Sequence, residues 1–101
     1  MRVVFAERAR RDIGDIYDSI VVHNPAAAQR VEDAIRFECE RLGEFPYTSI
    51  ATDEANVRRL PLARYPYTIF CRVDEVRGVV EIARVIHGAR VQDLNRIPGE
   101  D

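Results

Sequence analysis

The stretch VRRLPLARYPYTIFCRVDEVRGVVEIARVIHGAR, Val57–Arg90, decides how this chain folds. It reads as three strands in a meander. Tyr67–Val73 is the strongest, because tyrosine, isoleucine, phenylalanine and valine suit a pleated, half-buried surface. Val79–His87 follows, bounded by Gly78 and Gly88, and Asp74–Gly78 between them is a polar connection of hairpin length. Val57–Leu62 is the first of the three, where Pro61 points to a sheet edge or a bulge.

Upstream, the pattern changes from strand to helix. Arg2–Phe5 is a short apolar strand, and Ala9, Ile13, Ile16, Tyr17 and Ile20 then recur at helical spacing on one face. Arg8, Arg11, Asp12, Asp15, Asp18 and Ser19 fall on the other face. Gly14 weakens this helix by about 0.5–1 kcal/mol relative to alanine, which suggests close approach to a neighbour. Asn24-Pro25 then opens a second helix, with asparagine as N-cap and proline at the first helical position. Ala28, Val31, Ala34, Ile35, Cys39 and Leu42 form its apolar stripe, and Gly43 reads as its stop. The short link between the helices makes an antiparallel hairpin that must cover a sheet. Tyr47–Asn56 reads as a polar loop, and residues 91–101 as a tail that frays unless a partner holds it.

The order is therefore β-α-α-β-β-β in a single domain, 1–101. The fold class is α+β, a helical hairpin packed on an antiparallel β-sheet. No apolar run reaches the length of a membrane span, and no charged-then-apolar leader opens the chain, so a cytoplasmic protein is expected.

Charge is unevenly distributed. The net charge is −2, which disfavours generic coating of nucleic acid. Residues 1–56 carry seven arginines against eleven carboxylates, whereas residues 57–90 carry seven against three. The sheet half is thus a local basic surface on an acidic protein. Lysine is absent from the chain. Cys39 and Cys71 are too few and too far apart for a metal cluster, and read as reduced, core-filling thiols rather than a bridge. There is no zinc, phosphate-loop or serine-hydrolase pattern, and neither metal nor cofactor is expected.

Ala9..Asp12-Ile13..Ile16-Tyr17..Ile20, Asn24-Pro25-Ala26-Ala27-Ala28 and Leu42..Phe45-Pro46 run through the helical half. The last third adds Arg58-Arg59-Leu60-Pro61, Tyr67–Val73 and Ile82..Arg84-Val85-Ile86-His87-Gly88-Ala89-Arg90. Taken together, these segments resemble the RelE/ParE superfamily of toxins from type II toxin–antitoxin modules, and most closely its ParE branch. Two features depart from the pattern. Ala6-Glu7 stands where similar proteins have a hydroxyl residue and a proline, leaving the first helix poorly capped, and the Tyr47–Asn56 loop lacks the usual arginine and proline.

The resemblance implies a partner and a target. An antitoxin's C-terminal segment would wrap the helical hairpin and the sheet, placing Ile13, Ile16 and Tyr17 with Arg58, Arg59, Arg72, Arg84 and Arg90 at the contact. ParE-like members inhibit DNA gyrase; RelE-like members are ribosome-dependent messenger RNA endonucleases. A non-toxic interaction module is a third alternative.

Residue chemistry bears on that choice. Cleavage of RNA needs a base, an acid and a cation. Arginine supplies only the cation, because its pKa above about 12 removes it from ordinary proton transfer. His23 at the helix turn is remote in sequence from the arginine cluster. His87, with Arg84 or Arg90, is the candidate catalytic set if the chain is a ribonuclease. Strand parity groups His87 with Val85, Ala83 and Glu81, and Arg84 with Val80, Ile82 and Ile86, so the two point to opposite faces unless a bulge intervenes. Arg84 among aliphatic residues is either in a structural ion pair or at a partner contact. Tyr65 and Tyr67 either stack bases or, flanking Pro66, pack a strand entry. Scarce proton-transfer groups favour binding over cutting.

Overall fold

The computed structural model describes residues 1–88; Arg90 and the segment read as a fraying tail lie outside them. The elements are β1 (Arg2–Phe5), α1 (Glu7–Val21), α2 (Pro25–Glu44), a 3-10 turn (Pro46–Thr48), β2 (Ile50–Ala51), β3 (Val57–Pro61), β4 (Tyr67–Asp74) and β5 (Val79–His87). The sheet has five strands in the order β1-β5-β4-β3-β2. The meander pairs antiparallel as expected, and β1 joins β5 in parallel, making the sheet mixed.

Both helices cover one face of the sheet. Ala9 and Ile13 of α1 and Val31, Ile35, Cys39 and Leu42 of α2 form one core with Ile69, Cys71, Val80, Ile82 and Val85 of the central strands. Each fully buried aliphatic side chain there contributes roughly 1.5–3 kcal/mol. Tyr65 and Tyr67 pack against this core, as the strand-entry reading requires. The opposite face carries a smaller cluster of Val57, Phe70, Ala83 and Ile86. Cys39 and Cys71 are buried free thiols in the main core.

Capping follows the sequence. The Asn24 side chain accepts a hydrogen bond from the Ala27 N–H at 3.0 Å, with Pro25 opening the helix. Ala6, at the head of α1, offers no side-chain acceptor.

The glycines differ from expectation. Gly14 has nothing within 4 Å of where a Cβ would stand, so it marks no close approach. Gly43 does, since its Cβ would lie 2.7 Å from the Met1 carbonyl oxygen and from Val3 Cγ2. The helix runs one residue past it, to Glu44, and the Met1 ammonium donates to the Gly43 carbonyl at 2.6 Å. Gly43 is thus where α2 touches β1, rather than the helix stop.

The Tyr47–Asn56 segment is not simply a polar loop: it begins inside the 3-10 turn and contains a two-residue edge strand, with Ile50 opposite Arg59 and Ala51 opposite Arg58. That strand flanks β3, and Pro61 lies beyond its reach, where a missing N–H costs no ladder bond. In β5 the register slips. Phe70 faces Arg84 while Cys71 faces Ile82, which leaves Ala83 as an inserted bulge residue.

Candidate functional site

The bulge resets the faces of β5. Ahead of it, Val80 and Ile82 point into the helix-covered core; beyond it, Val85 does, and Ala83 joins Ile86 and Phe70 on the far side. Arg84, opposite Phe70, therefore lies on the far face and does not share a side with Val80 and Ile82. His87 is opposite Tyr67, whose ring it meets edge-on at 5.4 Å. His87 lies three positions after Arg84 with no further slip, an odd offset, so guanidinium and imidazole still occupy opposite faces.

Arg84 is held by a residue that the sequence pattern places on the solvent side of α1. Asp12 is buried, at 8% exposure. Its Oδ2 accepts from Arg84 Nε at 2.8 Å and its Oδ1 from Arg84 Nη2 at 3.3 Å, a two-pronged contact. The same Oδ2 accepts from the Val85 N–H at 2.9 Å. The reason is topological. β1 stops at Phe5, opposite Ile82, so β5 continues past its neighbour. The Asp12 carboxylate takes the place of the missing strand as acceptor for Val85 and supplies the counter-charge for Arg84. Arg8 Nε adds a looser contact, 3.6 Å from Asp12 Oδ1. A signal existed in the sequence: Asp12 is three residues after Ala9 and four before Ile16, on the flank of the apolar stripe.

The remaining arginines are deployed separately. Arg58 faces the helix side and straps the new edge strand, donating from Nε to Ser49 Oγ at 2.9 Å and from Nη2 to the Ser49 carbonyl at 2.7 Å. Its guanidinium also lies 5.0 Å from the centre of the Tyr47 ring. Tyr47 in turn donates to Glu75, and the bond to that carboxylate holds the phenol above its ordinary pKa. Arg59 is half-buried on the far face, where its buried Nε finds no hydrogen-bond partner among the described residues. Arg72 and Glu81, directly opposite each other on β4 and β5, pair at 3.2 Å. Of the apolar candidates on α1, Ile13 is consumed by the core, while Ile16 and Tyr17 are only partly buried.

Burial pushes the Cys39 thiol up to about 12 and the Cys71 thiol up to about 11, so both are protonated and unreactive near neutrality. Among the described residues no group of histidine, cysteine and carboxylate side chains is placed to hold a metal ion. Nor is any described helix long and apolar enough to cross a membrane.

Residues 3–92 match the family model described as the ParE toxin of the type II toxin–antitoxin system parDE. The chain belongs to the ParE toxin family. Solved structures agree on the fold of this ParE-family chain. A chain of the chromosomal ParDE toxin–antitoxin system from P. aeruginosa superposes with a TM-score of 0.74 at 24% identity, covering 86% of this chain and 95% of that one. The isolated E. coli RelE toxin gives a TM-score of 0.66 at 15% identity, covering 90% and 87%. The RelBE2 toxin–antitoxin complex of Mycobacterium tuberculosis gives 0.59 at 22% identity, covering 85% and 88%. A search of curated proteins finds no match.

Proposed function

We propose that this ParE-family chain arrests growth by binding and inhibiting DNA gyrase, and that a cognate antitoxin neutralises it by wrapping the helical hairpin and sheet. The observation that carries the reading is the division between the two faces of β5. The His87 ring sits on the helix side against Tyr67, and Arg84 sits on the far side in the grip of Asp12. A ribonuclease would need a proton-transfer group and a cation converging on one phosphate. Arginine cannot exchange the proton itself. A binding inhibitor needs surface complementarity alone, which an arginine-studded sheet supplies. The solved ParDE and RelBE relatives are toxin–antitoxin systems, which supports the antitoxin partner.

The test is expression of the His87→Gln variant without antitoxin. Growth arrest equal to that of the unaltered chain is expected. Loss of arrest, accompanied by the disappearance of transcripts cut at defined codons, would instead establish the endoribonuclease reading with His87 as its proton-transfer group.

A further inference from the structure

Two clefts adjoin on the sheet face away from the helices, sharing Arg72 and Glu81. One, of about 810 Å³, opens between the start of β1 and the β4–β5 turn, where Arg2, Val4, Arg77 and Val79 line it. The other, of about 620 Å³, lies between the head of α1 and β5, walled by Ala6, Arg8, Arg11, Ala83 and Arg84. End to end they form one groove running from the hairpin turn to the α1 N-terminus.

Among the described residues, the charge lining this groove is not balanced. Arg2, Arg8, Arg11, Arg72, Arg77 and Arg84 line it, against Asp74, Glu75 and Glu81, with Asp12 behind Arg84. Arg84 is engaged by Asp12, and Arg72 by Glu81. Among the described residues, Arg2, Arg11 and Arg77 have no carboxylate at ion-pair distance. Ala6, in the groove wall, caps α1 without a side-chain acceptor, and the dipole of α1 adds partial positive charge there.

The lining chooses between anionic occupants. Val4, Val79 and Ala83 alternate with the guanidiniums, and Asp74, Glu75 and Glu81 interrupt them. A polyphosphate backbone, charged at every step, would meet those carboxylates, and Tyr47 is the one aromatic ring lining either cleft for a base to stack on. An extended peptide repeats side chains on one face about every 6.4–6.8 Å. It can set carboxylates against arginines and apolar side chains against the valines.

We propose that this groove holds an extended segment of the antitoxin in which acidic and apolar residues alternate, its carboxylates pairing with Arg2 and Arg11. This rests on the reading of the chain as a toxin neutralised by an antitoxin. Arg2 and Arg11 are exposed and carry no ion pair with a described residue, so replacing them leaves the fold intact.

The experiment measures binding of the full chain to the full-length product of the small open reading frame expected beside its gene, at low and high salt. The Arg2→Gln/Arg11→Gln variant is compared with an Arg64→Gln control outside the groove, and thermal melts verify folding. The double variant should bind about tenfold or more weakly, mainly through slower association, and its salt dependence should flatten; the control should match the unaltered chain. If the unaltered chain forms no complex, the antitoxin reading falls and this inference with it. If all variants bind alike, only the groove assignment falls. A single-stranded oligothymidylate that binds the unaltered chain but not the double variant, while the antitoxin complex is unchanged, would give the groove to nucleic acid and overturn the proposal.

Discussion

Replacing Asp12 with asparagine tests the account of the sheet at its most sensitive point. The side chains of Asp12 and Arg84 are each 9% exposed, and the carboxylate receives two guanidinium donors and the Val85 N–H. Asparagine keeps an oxygen that can accept from Val85 but removes the Asp12 charge that faces the buried Arg84 guanidinium. Breaking a buried pair from one side costs about 3–5 kcal/mol. Against a total stability of roughly 5–15 kcal/mol for a domain of this size, that is a large fraction. At about 4–8 °C per kcal/mol, the melting temperature should fall by roughly 12–40 °C. Removing both charges together, as Asp12→Leu/Arg84→Met, should be milder. The buried-ion cost then disappears and the orphaned Val85 N–H remains, at about 1–3 kcal/mol. Urea unfolding at neutral pH reads all three proteins. A loss below about 1 kcal/mol for Asp12→Asn, or a double variant worse than the single one, would refute the reasoning.

Two glycines should respond with opposite signs. Gly43→Ala forces a Cβ to within 2.7 Å of the Met1 carbonyl oxygen and should cost about 1–3 kcal/mol. Gly14→Ala meets open space in a helix interior and should gain about 0.5–1 kcal/mol, and thermal melts of the two variants show the difference. Alkaline pH should loosen the fold. Burial holds the Cys39 and Cys71 thiols above the ordinary thiol value of 9.0 in the folded chain, so their contribution is full below about that pH. It declines as pH rises toward 11–12, because the unfolded chain gives up these protons first. The slope is at most about 1.4 kcal/mol per pH unit for each thiol, and a Cys39→Ala/Cys71→Ala chain should lack it in urea titrations across that range.

What could be read from the sequence was whatever repeats or caps locally. The alternation in Tyr67–Val73, the helical spacing from Ala9 to Ile20 and the Asn24-Pro25 start each encode their own geometry, and the element order followed. What escaped depends on distant chain. Ile50-Ala51 is a strand only because Arg58 and Arg59 lie beside it, and two residues carry no period. The Ala83 bulge leaves no mark in a run of aliphatic residues, so parity counted across it misassigned Ala83 and Glu81 relative to His87. Asp12 looked solvent-facing beside Arg8 and Arg11 because its partner is 72 residues away. Arg84's demand for a counter-charge was visible in its apolar setting; which carboxylate answered was decided by where β1 ends.

Gyrase supercoiling in the presence of the purified chain is the most direct measurement of the central claim. Relaxed plasmid should stay relaxed once the chain matches gyrase in amount, and added antitoxin should restore activity. Supercoiling that proceeds unhindered at stoichiometric excess would contradict it.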